Sequence, residues 1–292
     1  MIGVDLGGTK ILTGVVTRDG AVESRRERVT PVGSQAELLG ALDAAVDELR
    51  DDSIAAIGFG IPSRLDPRSG RVEGSVNIPL AGLDLRGRMR ERFGLPVGVE
   101  NDANAATYGE FHSGAGRDVQ TMVMLTLGTG CGGGVVIDGR LYHGWAELGH
   151  IVIELDGLPC QGTCTGRGHL EAYVSGTAAT KLAAEAFGPS VDAHGLVRLA
   201  EEGQAKAVEI LRGIGRRLGA GIGSLVNIFD PELVAVGGGF AAAGELLFDP
   251  AREVMRREAL APEDERVRIV RAELGGEAGL IGAGLVAFDA VA

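Results

Sequence analysis

The same short device occurs twice in this chain, and it limits the folds open to it. Residues 2–16 (IGVDLGGTKILTGVV) read strand, glycine turn, strand, and residues 122–137 (MVMLTLGTGCGGGVVI) do so again. Short apolar runs bounded by glycine mark buried strands. Glycines at the turn let backbone N–H groups approach a ligand with no Cβ in the way. Leu6-Gly7-Gly8-Thr9 aligns with Leu127-Gly128-Thr129-Gly130, and Gly14-Val15-Val16 with Gly134-Val135-Val136 one residue out of step. Such self-similarity points to a duplicated domain. The alternative is a coincidence between two glycine-rich turns.

What surrounds the hairpins is α/β. Residues 22–29 form a third strand. Ser34 caps a helix over residues 35–50, where Leu38, Leu39, Leu42, Val46 and Leu49 keep helical spacing. A buried strand over 54–61, a helix over 83–93 and a strand over 97–100 follow. After the second hairpin come helices at 175–188 and 201–228 and a strand at 232–236. A helix at 244–259, a strand at 267–273 and a helix at 278–290 complete the chain. The 292 residues suffice for two domains with separate cores. The division expected is a smaller domain of residues 1–108, joined by the last helix from about 278, and a larger one of 109–277.

Composition removes several classes of function. A net charge of -12 disfavours a general nucleic-acid binder, which needs a dense basic face. No apolar run reaches the length of a membrane span. The sequence starts at once as a strand with no signal-peptide pattern, and only three cysteines occur. A reducing, cytoplasmic setting is expected, where cysteine reads as ligand, nucleophile or core.

Five segments carry chemistry. Asp5-Leu6-Gly7-Gly8-Thr9-Lys10 delivers an aspartate to the mouth of a glycine turn, either a phosphate loop with a Mg²⁺-holding carboxylate or a plain hairpin. Gly128, Gly130 and Gly133 fit G-x-G-x-x-G, but a dinucleotide fingerprint needs a helix next and a strand follows, so this reads as a second phosphate loop. Cys131 within it has no base nearby and reads as a small filler. Gly237-Gly238-Gly239 ends a late strand, as an adenosine-contacting turn would; no Walker sequence exists. Glu100-Asn101-Asp102-Ala103-Asn104 follows a short strand, a place for a proton-accepting Asp102 and a hydroxyl-binding Asn101, or for a helix cap. Last, His150, Cys160, Cys164 and His169 lie within twenty residues among glycine turns, a donor set for a structural, four-coordinate Zn²⁺.

In order along the chain, DLGGTK, GIP, Asn77-Ile78-Pro79, ENDANAA, LGTGCGGG, Glu147-x-Gly-His150, the Cys/His loop ending in Leu170-Glu171, and NIFDPELVAVGGG resemble the ROK family (repressors, open reading frames, kinases). The resemblance covers nearly the whole chain. It implies the actin-like, hexokinase-like ATPase fold, two duplicated ribonuclease-H-like domains with a cleft between them. It implies an ATP-dependent sugar kinase acting on a hexose, glucose first, with Asp102 as base. By resemblance Asn101, Glu147, His150 and Glu171 bind sugar hydroxyls, with Gly60 and Asn77 adding contacts. Asp5, Gly7, Gly8, Thr9 and Lys10 match the first phosphate loop, Gly128, Thr129 and Gly130 the second, and Gly237, Gly238 and Gly239 the adenosine motif. ATP, Mg²⁺ and structural Zn²⁺ follow as cofactors, and a homodimer or dimer of dimers as the assembly.

The sequence departs from the family pattern at two places. The family zinc loop reads C-x-C-G-x-x-G-C; here the first spacing is two residues longer and His169 stands for the third Cys. Ser63 replaces a glycine after GIP. An N-acetylhexosamine kinase is the competing enzyme. A sugar-sensing regulator is the competing non-enzyme, disfavoured by Asp102 and by a start at the first strand.

Overall fold

The computed structural model describes residues 1–66, 68–75, 78–260 and 267–291. The chain divides into two units, Met1–Arg117 with Leu141–Ala146 and Gly276–Ala292, and Asp118–Arg140 with Glu147–Gly275. The boundary expected at residue 108 would cut a helix in its middle, and the division comes after Arg117.

The first unit opens with β1 (Ile2–Leu6), β2 (Lys10–Val16) and β3 (Val22–Val29), then α1 (Gln35–Asp47), β4 (Ile57–Ile61), β5 (Ser63–Leu65), β6 (Val72–Ser75), α2 (Leu85–Phe93), β7 (Val97–Asn101) and α3 (Asp102–Ser113). Its five-stranded sheet runs β3-β2-β1-β4-β7. The hairpin strands are antiparallel, whereas β1, β4 and β7 are parallel. Ile2, Val4, Phe59 and Val99 of the sheet pack with Leu38 and Leu42 of α1 and Leu85 and Met89 of α2 in one buried cluster. Ser34 caps α1 by accepting the Glu37 N–H, and Gly94 ends α2 in the left-handed region at φ 66°.

The second unit carries β8 (Met122–Leu127), β9 (Cys131–Ile137) and β10 (Arg140–Leu141), then α4 (Glu171–Val174), α5 (Gly176–Phe187), α6 (Ala193–Glu201), α7 (Ala205–Phe229), β11 (Leu233–Gly237), α8 (Glu245–Glu258) and β12 (Arg268–Arg271). Its sheet runs β10-β9-β8-β11-β12, again an antiparallel hairpin beside parallel strands. Strand for strand this is the order of the first sheet, so the repeated hairpin marks a duplicated fold. The helix expected over 201–228 is α7, which begins four residues later than expected. Gly203 at φ 85° breaks the chain, and Gln204 caps the 25-residue α7. Among the described residues no helix is long and apolar enough to cross a membrane.

The last helix, α9 (Ala278–Asp289), closes the first unit. It lies so near the sheet that a Cβ on Gly3 would strike Leu280 O, one on Gly58 would strike Ala283 O, and one on Gly98 would stand 2.6 Å from the Val286 side chain. One glycine on each of β1, β4 and β7 thus admits the helix backbone.

Candidate functional site

In the first unit the parallel strands bring their carboxyl ends together, the usual place for ligands in α/β sheets. Asp5, Gly60 and Glu100 stand side by side in register on β1, β4 and β7. The Asp5 carboxyl is pushed up to about 6, first by burial and then by the Asp102 carboxylate, against the opposing pull of Lys10. Gly60 faces Ala105, so that a Cβ there would stand 3.1 Å from the alanine methyl and 3.8 Å from Asp102 Cα.

The cap and the candidate base are separate residues. Asn101 is the N-cap of α3, its Oδ1 accepting from Ala103 N at 2.9 Å and Asn104 N at 3.2 Å. Its Nδ2 reaches Ser63 O at 3.4 Å. Asp102 is the first residue of the helix, where the unpaired N–H groups favour a carboxylate. Glu100 locks this turn. It is 8% exposed, and its Oε1 accepts from Asn101 N at 2.9 Å and Asn104 Nδ2 at 3.0 Å. Its Oε2 lies 2.7 Å from His143 Nδ1, and that hydrogen bond raises the His143 imidazole above its ordinary value. No sequence signal pointed to His143, which comes from a loop preceding the Cys/His segment.

The DLGGTK turn closes on itself, Gly7 N–H donating to Lys10 O at 2.8 Å and Thr30 Oγ1 to Gly7 O at 2.7 Å. The Gly7 N–H is therefore committed, and Gly8, Thr9 and Lys10 form the exposed lip. Asn77 lies outside the described residues.

In the second unit the matching turn is closed by Gly128 N–H to Gly130 O at 3.0 Å. Gly176 N donates to Gly128 O at 2.8 Å and Thr177 Oγ1 to Thr129 O at 2.7 Å, which docks the start of α5 on the turn. Beside it lies a cavity of about 410 Å³ lined by Gly128, Thr129, Thr177, His194, Gly239 and Phe240 among others. Of the three glycines expected to touch a nucleotide, Gly239 lines this cavity. Gly237 is buried in β11, and Gly238, at φ 83°, packs on the Leu127 backbone, so both shape the turn from behind. His194 belongs to α6, a helix the sequence reading missed although Asp192 is an ordinary N-cap and Ala193, Leu196 and Ala200 keep its spacing. Burial pushes the Cys131 thiol up to about 12, as befits a filler.

The ligand atoms of His150, Cys160, Cys164 and His169 all lie within 4.8 Å of one another. A tetrahedral Zn²⁺ with bonds of about 2.0–2.3 Å needs donor separations of roughly 3.3–3.8 Å, so the cluster needs only a small contraction. Cys164 Sγ already lies 3.6 Å from His169 Nδ1. His150 Nδ1 is buried without a hydrogen-bond partner, and Glu147 Oε2 stands at 3.6 Å, beyond that reach. Two thiols, two imidazoles and an orphaned ring nitrogen fit zinc. Glu171 follows on α4, with Oε2 accepting from Cys131 N at 2.7 Å. A Cβ on Gly130 would strike that same oxygen.

With this geometry in hand, the likenesses are specific. The family model described as ROK family matches residues 1–290. A glucokinase of Streptomyces coelicolor is 35% identical over 97% of this chain and 95% of its own. Among solved structures, a ROK family glucokinase from Streptomyces griseus in complex with glucose and AMPPNP is 37% identical, with TM-score 0.84 over 99% of both chains. A ROK hexokinase from Thermus thermophilus is 38% identical, with TM-score 0.87 over 100% of this chain and 98% of its own.

Proposed function

This chain belongs to the ROK family, and from that premise we propose that it is an ATP-dependent hexose kinase converting glucose to glucose 6-phosphate. It has the actin-like, hexokinase-like ATPase fold. The observation that carries the reading is Asp102 at the head of α3, on a turn held by Glu100, within the electrostatic reach of Asp5.

Asp102 accepts the proton of the sugar 6-hydroxyl as its oxygen attacks the γ-phosphorus. The bond to the bridging oxygen of ADP breaks as the new P–O bond forms. Exposed N–H groups of the two glycine turns offset charge on the phosphates, and the 410 Å³ cavity takes the adenosine. We assign sugar hydroxyls to the Asn101 Nδ2 amide and to Glu147, His150 and Glu171, with Gly60 leaving room above Asp102. Asp5 would hold Mg²⁺, which when bound neutralises phosphate charge. His150, Cys160, Cys164 and His169 would hold Zn²⁺ as a structural ion. A homodimer fits the exposed apolar side chains Leu155, Leu158 and Ile228 of the second unit.

The test is an ADP-release assay with Mg-ATP against glucose, mannose, fructose, N-acetylglucosamine and N-acetylmannosamine. Turnover led by glucose is expected. Turnover confined to an acetylated sugar would keep the mechanism and overturn the substrate. Silence on every sugar would overturn the kinase.

A further inference from the structure

The first unit holds a cavity of about 1060 Å³ that none of these assignments uses. Val97, Gly98, Val99 and Glu100 of β7, the edge strand of the sheet, line it together with Arg68, Arg86, Arg90 and His143. Helix α2 places arginine at four alternate positions, and they divide by partner. Arg88 and Arg92 pair with Asp43 and Asp47 of α1. Arg86 and Arg90, four residues apart and hence on one face, line the cavity. Among the described residues neither they nor Arg68 enters an ion pair, and Arg86 Nε is buried with no hydrogen-bond partner. Three carboxylates share the lining. Glu100 is bound to His143, Asp289 to Tyr108, and Glu91 sits exposed on α2. Arg86 Nη1 donates to Arg68 O at 3.0 Å, and the other N–H groups of the three arginines outnumber the one lining carboxylate, Glu91, that neither His143 nor Tyr108 engages.

We propose that this cavity binds a phosphate-bearing small molecule. Guanidinium groups match phosphate oxygens bidentately, and three arginines line this cavity. The volume leaves room for whatever the phosphate is esterified to. The ligand would also touch His143, whose ring holds Glu100 and, through it, the first turn of α3.

Binding is measured by calorimetry on the whole chain already loaded with AMPPNP, Mg²⁺ and glucose, so that the catalytic site is filled. The probes are inorganic phosphate and glucose 6-phosphate. One further saturable site is expected. Its affinity should fall about tenfold or more in Arg90→Glu and in Arg86→Ala/Arg90→Ala, as expected for loss of a charge-assisted pair, and stay within about twofold in Arg92→Ala. Arg90 is exposed, so its variant carries little risk to folding. Tighter binding of glucose 6-phosphate than of phosphate identifies an ester as ligand, and equal binding identifies free phosphate. No saturable binding to the loaded wild type, or equal binding to Arg90→Glu, would overturn the site. Failure of AMPPNP or glucose to load would count against the kinase reading alone, because the difference between wild type and Arg90→Glu would still report this cavity.

Discussion

Two carboxylates that repel each other are hard to hold in one fold, and Asp5 and Asp102 are such a pair. Burial and Asp102 together raise Asp5 to about 6 from an ordinary 3.8, a gap worth about 3 kcal/mol as an upper figure. The folded state therefore binds the Asp5 proton more tightly than the unfolded chain. Stability from this group falls as pH rises from about 4 to about 6, and the loss is complete above that. Asp5→Asn removes the cost. It should raise the melting temperature of the metal-free protein at pH 8, leave it nearly unchanged at pH 4, and lose Mg²⁺-dependent activity. A variant less stable than wild type at pH 8 would contradict this electrostatic reading. Asp102→Asn keeps the helix start and the shape of the site but cannot take a proton. Its kcat should fall by about 10²–10⁴-fold with glucose affinity nearly kept, measured by steady-state kinetics and calorimetry. Near-normal turnover would remove Asp102 as base. The type and place of Asp102 were legible because a polar cluster follows a strand. The part played by Asn101 was not, since cap and ligand use the same amide. His143 left no trace, because its partner Glu100 is distant in sequence.

Among the elements, the segment between β10 and α4 has the least regular structure of its own. Isolated bridges at Val152–His169 and Pro159–Arg167 and a short 3₁₀ turn at Leu148–His150 are what order it. A four-donor metal would supply the missing cross-link. Cys164→Ser should lose about one zinc per chain by metal analysis. It should raise the KM for glucose more than it lowers kcat, because the same segment carries His150 and leads into Glu171. Active enzyme that contains no zinc would refute the assignment. Glu171 adds a second tie, since one of its oxygens holds Cys131 N beside the second glycine turn. Most elements here were readable from apolar spacing and caps. The failures have local causes. Gly203, at φ 85°, delays the start of α7 to Ala205, and α6 is only nine residues long, so its few apolar positions were easily passed over.

The whole molecule is a duplication whose ends do not meet in sequence order. The hairpins were visible because glycine turns repeat, and the shared strand order completes the correspondence. What the sequence hid is how much the first unit depends on the last helix. Helix α9 covers β1, β4 and β7 through Gly3, Gly58 and Gly98, and Ala105 O of α3 closes on Gly282. Leu280, Ile281, Ala283 and Leu285 are all buried in that seam. A chain ending at Gly276 would leave this face of the sheet, with the apolar side chains it presents, open to water. At about 1.5–3 kcal/mol for each large apolar side chain, the loss exceeds the few kcal/mol that hold an ordinary domain together. The second unit contains no residue of α9. Truncation after Gly276 should therefore unfold the first unit and spare the second. In hydrogen exchange, β1, β4 and β7 would lose protection while β8, β11 and α7 keep theirs. Calorimetry would show one transition remaining. Protection retained in β1 would mean that the first sheet is stable without its last helix, and the close glycine contacts would then reflect fit rather than dependence.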